Sequence, residues 1–391
     1  MSSLYFDYQA STPVDPIVVK KMTLALEENY GNPHSDDHSY GWAAQKQADI
    51  ARELIGQLIS ADKDEIVFTS GATESNNLAI LGICRGYEKN TLHPPSKRQI
   101  IVSSIEHKCI LAAAASLEQQ GWSIDSAPVD AMGVVDVNQL ESMMSENTAM
   151  VSVMAVNNEL GTIQPISRIG PLCKQYGALF HCDAAQAPTA IDLNVHACNI
   201  DTLSLSAHKM YGPKGIGALF IRRDLQQHIE PLMYGGGQEN GIRPGTLPTP
   251  LCVGFGAATQ LILSTDQPAE RRRVDTLRND FWNTLKSAIP TCELNGSADQ
   301  RHPGNINVLF PHIDAHHLIG KLQPRLAISS GSACTTGIAE PSHVLTAIGL
   351  DTHQAESSVR IGLGRFTTEM DVKNAIGYLV EAVRECDYAI A

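Results

Sequence analysis

Between residues 65 and 206 the chain alternates short apolar or β-branched runs with helical stretches, and no other feature restricts its fold as strongly. Residues 65–70, 99–103, 150–156, 178–183 and 201–206 read as strands, and residues 109–120 as a helix. Repetition of this kind predicts an α/β fold, a mostly parallel sheet covered by helices. Ahead of it, helices are expected over residues 16–28 and from about 40 to 59, preceded by a short extended arm that Pro13 ends.

In such sheets ligands bind beyond the carboxyl ends of the strands. The polar residues that fall there are His107, Asn158, Asp183 with Gln186, and Ser206 with His208 and Lys209. Singly, His107 could be a structural histidine, Asn158 a turn former and Asp183 a helix N-cap. Their shared placement points instead to one site. Lys209 ends an alternating strand just before the Gly212-Pro213 turn. It is a stronger candidate for a Schiff-base lysine than Lys214, which has no strand behind it. The strand 65–70 runs straight into Gly71-Ala72-Thr73 and a helix opening, where free backbone N–H groups and the Thr73 hydroxyl can hold a phosphate.

A length of 391 residues suits two domains, or one large domain with an appendage. From about residue 265 onward the composition fits a smaller α+β domain, with strands near 304–309 and 327–330. A long helix is expected through Arg271-Arg272-Arg273 as a solvated face. Before it, the run from Gly235 to Thr246 holds five glycines and reads as a loop with unusual backbone angles. The net charge of −13 argues against direct nucleic-acid binding. With no apolar run of membrane-spanning length and no basic-then-apolar leader, the expectation is a cytoplasmic protein.

The nine cysteines show no C-x-x-C pair or framework spacing, so neither a disulfide scaffold nor a metal site is signalled. Most, Cys109 included, sit in apolar segments and read as small buried hydrophobes. Cys334 differs, standing among small polar residues from Ser329 to Gly337, where a thiolate could form given a positive neighbourhood. Arg360 lies on an alternating strand that turns it inward. Its planar fork could there hold a carboxylate or make a structural salt bridge.

Taken together these motifs resemble cysteine desulfurases of the NifS/IscS type, in the class V aminotransferase family. The resemblance spans nearly the whole chain, from Thr69-Ser70-Gly71-Ala72-Thr73 through Glu106-His107-Lys108, Asn157-Asn158-Glu159, His181-Cys182-Asp183 and the Lys209 stretch. It continues through Arg243-Pro244-Gly245-Thr246 and Ser332-Ala333-Cys334 to Arg360-Ile361-Gly362. It implies a fold type I transferase dependent on pyridoxal 5′-phosphate. Residues 14–262 would form a large cofactor domain, and residues 1–13 plus 263–391 a small domain carrying the cysteine loop.

Carried over by position, the resemblance implies Lys209 as the Schiff-base lysine, His107 stacked on the ring and Asp183 on the ring nitrogen. Gln186 and Asn158 would lie on the ring-hydroxyl side, with Asn158 also near substrate. Ala72, Thr73, Ser206 and His208 would hold the phosphate, with Thr246 reaching it across a homodimer. Arg360 would bind the substrate carboxylate, Cys334 would be the nucleophile, and His107 would move protons at the substrate sulfur. The implied reaction converts L-cysteine to alanine and leaves a persulfide on Cys334 for an acceptor protein. Iron–sulfur assembly, tRNA thiolation or DNA phosphorothioate modification would be the destination. Alternatives are a cofactor-binding relay or scaffold subunit active only with a partner, and a selenocysteine lyase. Departures from the family pattern are Ala207, Pro244, the stretch Gln9-Ala10-Ser11-Thr12, and an end at Ala391 without the tail that housekeeping enzymes use to meet their scaffold.

Overall fold

The computed structural model describes residues 3–89, 91–92, 96–330 and 341–390. After a two-residue strand, β1 (Leu4–Tyr5), come the helices α1 (Pro16–Glu28) and α2 (Ser39–Ile59). Asp15 starts α1 by accepting the Ile17 N–H, and Pro16 stands at the position where no N–H is needed.

Seven strands then build the central sheet: β2 (Ile66–Thr69), β3 (Gln99–Ser103), β4 (Ser123–Ala127), β5 (Thr148–Ser152), β6 (Leu179–Asp183), β7 (Thr202–Ser206) and β8 (Gly217–Ile221). Their order is β2-β8-β7-β6-β5-β3-β4, parallel except that β8 opposes both neighbours. The connection from 207 to 216 is shorter than the roughly dozen residues a parallel crossover needs, so β8 must return antiparallel. The carboxyl ends of β2, β3, β5, β6 and β7 therefore share one edge. Strands β5, β7 and β8 are buried along their whole length, as expected of a sheet covered on both faces.

Helices α3 (Ala72–Glu88) and α4 (Lys108–Glu118) cover one face through Leu78, Ile83, Ile110 and Leu117. On the other, Ala51 and Ile55 of α2 pack with Phe255 of the helix Thr249–Ser264. A separate core surrounds β9 (Glu293–Leu294), β10 (Asn305–Leu309), β11 (Leu326–Ala327) and β12 (Ser358–Gly362). In it β12-β10-β9 form an antiparallel sheet, while β11 pairs in parallel with β1. Phe6, from the first residues of the chain, packs in that core with Phe281, Leu285 and Leu379. The amino-terminal arm thus crosses from one core to the other. No helix among the described residues is long and apolar enough to cross a membrane.

The local structure departs from the sequence reading in several places, among them the strands expected over 150–156 and 327–330, which are Thr148–Ser152 and Leu326–Ala327. The expected long helix is two, Thr249–Ser264 and Gln267–Ala288, because Asp266 caps the second one and Pro268 stands in its first turn. Its arginines are only partly a solvated face: Arg271 meets Asp192 at 2.9 Å, and Arg273 meets Glu270 and the carbonyls of Arg365 and Thr367. Strands β4 and β8 also went unforeseen. The first alternates weakly, and the second is a short run directly after a Gly-Pro turn.

Candidate active site

The loops following the aligned strand ends converge on a cavity of about 560 Å3. One short turn, Ala207–Lys209, carries Lys209 into it from β7. Its Nζ donates to the carbonyls of Gln9 (2.6 Å) and Ala10 (2.9 Å). Burial, with Arg360 adding to it, pushes the Lys209 pKa down from 10.5 to about 8. Part of the amine is then unprotonated near neutral pH, which is the state that acts as a nucleophile. Lys214 is exposed at the rim.

Across the cavity, His107 caps α4, its Nδ1 accepting from the Cys109 N–H at 3.2 Å and lying 3.0 Å from Cys109 Sγ. Burial lowers the imidazole pKa against the opposing pull of Asp183. Cys109 corrects an expectation: it is not a fully buried hydrophobe but lines the cavity. Burial and then Asp183 push its thiol up to about 12, so it stays protonated and is no rival nucleophile.

Asp183 ends β6, and each of its carboxyl oxygens is held by a donor. Oδ1 accepts from the Ala185 N–H (2.9 Å) and Oδ2 from Asn76 Nδ2 (2.7 Å). Burial, then the charge of Asp183, raises the Glu106 pKa well above the carboxylate range, and one of its oxygens accepts the Met154 N–H. Gln186 and Asn158 also line the cavity. The amide of Gln186 donates to the Gln9 carbonyl at 2.8 Å, and the backbone carbonyl of Asn158 accepts from Arg360.

Arg360, on β12, is 2% exposed; the whole strand is buried, so it is burial of both faces that turns Arg360 from solvent. It makes the structural salt bridge as well, Nη2 to Asp7 Oδ1 at 2.9 Å, while Nη1 reaches Asn158 O at 2.9 Å. Its buried Nε has no partner among the described residues, and the residue borders the cavity.

The turn between β2 and α3 completes the floor. Gly71 adopts φ +150°, open to glycine alone, and no side chain caps α3, so the first-turn N–H groups are free to meet an anion. Glu74 turns back instead to the Ser70 N–H (2.7 Å) and to Arg243 (2.8 Å). Gly217, at the start of β8, lets the turn close down: a Cβ there would stand 2.7 Å from Gly71 Cα. Ala72, Thr73, Ser206 and His208 border the same pocket. His208 is neutral, its pKa lowered to about 4 by burial and then by Lys209. An uncapped helix end for a phosphate, a carboxyl group for the ring nitrogen, an imidazole and a half-buried amine fit pyridoxal phosphate.

Two candidates stand apart. Thr246 is exposed and does not line the cavity of its own chain. Cys334 lies outside the described residues. Its flanks are tied to the cavity walls: Ser329 pairs with the Arg360 backbone and with Asp7, Ser342 with Glu159, and His343 with the Glu106 carbonyl. The sequence reading missed Asp7 and the Gln9 and Ala10 carbonyls, because residues 199 to 353 positions away complete their contacts. Asn76 could have been found, since it follows Ala72 by about one helical turn and shares its face.

The class V aminotransferase family model matches residues 4–375. A cysteine desulfurase IscS of Rickettsia prowazekii is 44% identical over 380 residues, 97% of this chain and 91% of that one. The mitochondrial cysteine desulfurase of Drosophila melanogaster is 46% identical over 369 residues, 94% and 78% of the two. Among solved structures, a NifS-like protein superposes with TM-score 0.90 at 33% identity, covering 98% of this chain and 100% of its own. SspA in complex with cysteine gives 0.81 at 38%, covering 94% and 100%.

Proposed function

The chain belongs to the class V aminotransferases, among the cysteine desulfurases of the NifS and IscS type, and we propose that it converts L-cysteine to alanine with a persulfide left on Cys334. The observation that carries this reading is the cavity where Lys209, Asp183, His107 and Arg360 meet the uncapped end of α3. The family depends on pyridoxal phosphate, and the residues present fit it.

Ala72, Thr73, Ser206 and His208, with Thr246 of the partner subunit in a homodimer, would hold its phosphate. Asp183 would hold the ring nitrogen, His107 the ring face, Gln186 and Asn158 the ring-hydroxyl side, and Lys209 Nζ the aldehyde carbon. When bound, the cofactor supplies an electron sink that makes the Cα proton of cysteine acidic.

Arg360, fixed by Asp7, orients the substrate carboxylate through its remaining donors. Lys209 Nζ, its pKa brought to about 8, takes the Cα proton and returns one to the alanine that forms. Neutral His107 exchanges the proton at the substrate sulfur. The Cys334 thiolate attacks that sulfur, its S–S bond forming as the C–S bond of the substrate breaks. Alanine leaves, and the persulfide passes to an acceptor protein.

The test is alanine released from L-cysteine by the purified protein with a reducing thiol, measured beside Cys334→Ala. Alanine from the intact chain, and a loss to background in the variant with its cofactor spectrum unchanged, is the expected result. Equal rates from both would refute the persulfide step, and no alanine from a fully loaded intact protein would refute the activity.

A further inference from the structure

Behind Asp183, on the side away from the cavity, lies a line of buried polar side chains that the reaction as described leaves without a role. Asn76 Nδ2 lies 2.7 Å from Asp183 Oδ2, Asn76 Oδ1 lies 3.0 Å from His181 Nε2, and His181 Nδ1 lies 2.8 Å from Thr202 Oγ1. Asn76, His181 and Thr202 have no exposed surface, and Asp183 is 6% exposed. Polar groups so deep are retained only when each is satisfied, and a satisfied chain fixes the geometry of its last member.

The direction of this chain follows from its end. A carboxylate only accepts, so the amide nitrogen of Asn76 must face Asp183 and its oxygen must face His181. His181 then carries its proton on Nε2, leaving Nδ1 to accept from the Thr202 hydroxyl. Burial lowers the His181 pKa to about 4, which keeps the ring neutral. Each link donates toward Asp183, and none adds a charge that would cancel its own. Asn76 also contacts Cys109 Sγ at 3.3 Å, a weak second acceptor.

The four residues come from three elements. Asp183 and His181 are on β6, Thr202 is on β7, and Asn76 is on α3 about one turn beyond the phosphate cradle. One rigid helix would therefore set both the cradle at its end and the acid beneath the ring. We propose that Asn76, His181 and Thr202 are positioning residues, a donor relay that holds Asp183 aimed at the ring nitrogen of the cofactor. This rests on the functional reading above.

The test uses Asn76→Ala, Thr202→Val and Thr202→Ser in the full-length protein, prepared without cofactor and then titrated with pyridoxal phosphate. Thr202 does not line the cavity, so a purely structural role would not move the spectrum of a bound cofactor. Asn76→Ala is expected to weaken cofactor binding roughly tenfold and to displace its visible absorption band. It should lower kcat for alanine by roughly tenfold, with the KM for cysteine changed by less than about twofold. Thr202→Val should shift the band and kcat in the same direction by a smaller factor, and Thr202→Ser should restore both.

A readout free of cofactor and activity is the tautomer of His181, from its 15N shifts in the apoprotein, assigned by difference against His181→Asn. The relay requires a neutral ring protonated on Nε2 in the wild type and in Thr202→Val, and mixed tautomers in Asn76→Ala, which removes the acceptor facing Nε2. A wild-type proton on Nδ1 overturns the proposal, and so do folded variants that keep the wild-type affinity and band. A wild type that binds no cofactor or makes no alanine would instead count against the functional reading, and the tautomer result would still decide the relay.

Discussion

Replacing Lys209 by methionine should make the cofactor-free protein more stable at neutral pH, and the gain should vanish in alkali. The side chain is half-buried near Arg360, and its ammonium has two backbone carbonyls and, among the described residues, no carboxylate in direct contact to repay lost hydration. A pKa lowered from 10.5 to about 8 corresponds to about 3 kcal/mol of unfavourable charge burial. That cost is present in full below pH 8, where the folded and unfolded chains both carry the proton. Between pH 8 and 10.5 the unfolded chain keeps the proton and the folded chain has lost it, so the stability of the wild type rises with pH. Lys209→Met has no such proton, and taking the difference between the two apoproteins at each pH cancels the titration of other groups. In thermal melts the variant should exceed the wild type by a few degrees at pH 7, roughly 2 °C per kcal/mol for a chain of this size. The gap should close by about pH 10.5. A gap that stays constant from pH 7 to 10.5, or a variant less stable at pH 7, would refute the claim that Lys209 is held as an unfavourably buried amine.

Two further substitutions probe the frame around the site. Asp7→Ala leaves the buried Arg360 guanidinium with the Asn158 carbonyl as its remaining described acceptor. It should cost about 2–4 kcal/mol in denaturant unfolding and raise the KM for cysteine more than it lowers kcat. Gly217→Ala would drive a Cβ to 2.6 Å from the Leu205 carbonyl oxygen and 2.7 Å from Gly71 Cα, both backbone. About 1–3 kcal/mol of stability should be lost, and cofactor binding should weaken because the Gly71 turn must move; unchanged binding in titrations of the apoprotein would refute that coupling.

Much of the site was legible because its chemistry is local. A strand that ends in a turn, as before Lys209 and Asp183, puts its last polar residue at the sheet edge whatever the neighbours do. The Gly71-Ala72-Thr73 junction likewise declares a helix start that no side chain caps. Periodicity set Arg360 on the face opposite the core residues Val359 and Ile361, and contacts with Asp7 and Asn158 buried that face. Family motifs then supplied roles that spacing alone left open.

Other features depended on contacts between distant parts of the chain. The glycine-rich run from Gly235 was read as an irregular loop. It buries Glu239, which accepts two bonds of 2.8 Å from Arg52 and one of 2.7 Å from the Phe68 N–H. No local pattern marks that glutamate, because its partners are 171 and 187 positions away. The arm from Leu4 to Thr12 was read only as a short extended segment, yet it supplies Asp7 to Arg360 and two carbonyls to Lys209. The sequence by itself determined which residue types stand at the strand ends, because strand and helix periods are short-range properties of the backbone. Tertiary structure decided the protonation and aim of those residues. Burial, unpaired donors and charge pairing arise only when segments hundreds of positions apart exclude water from the same space.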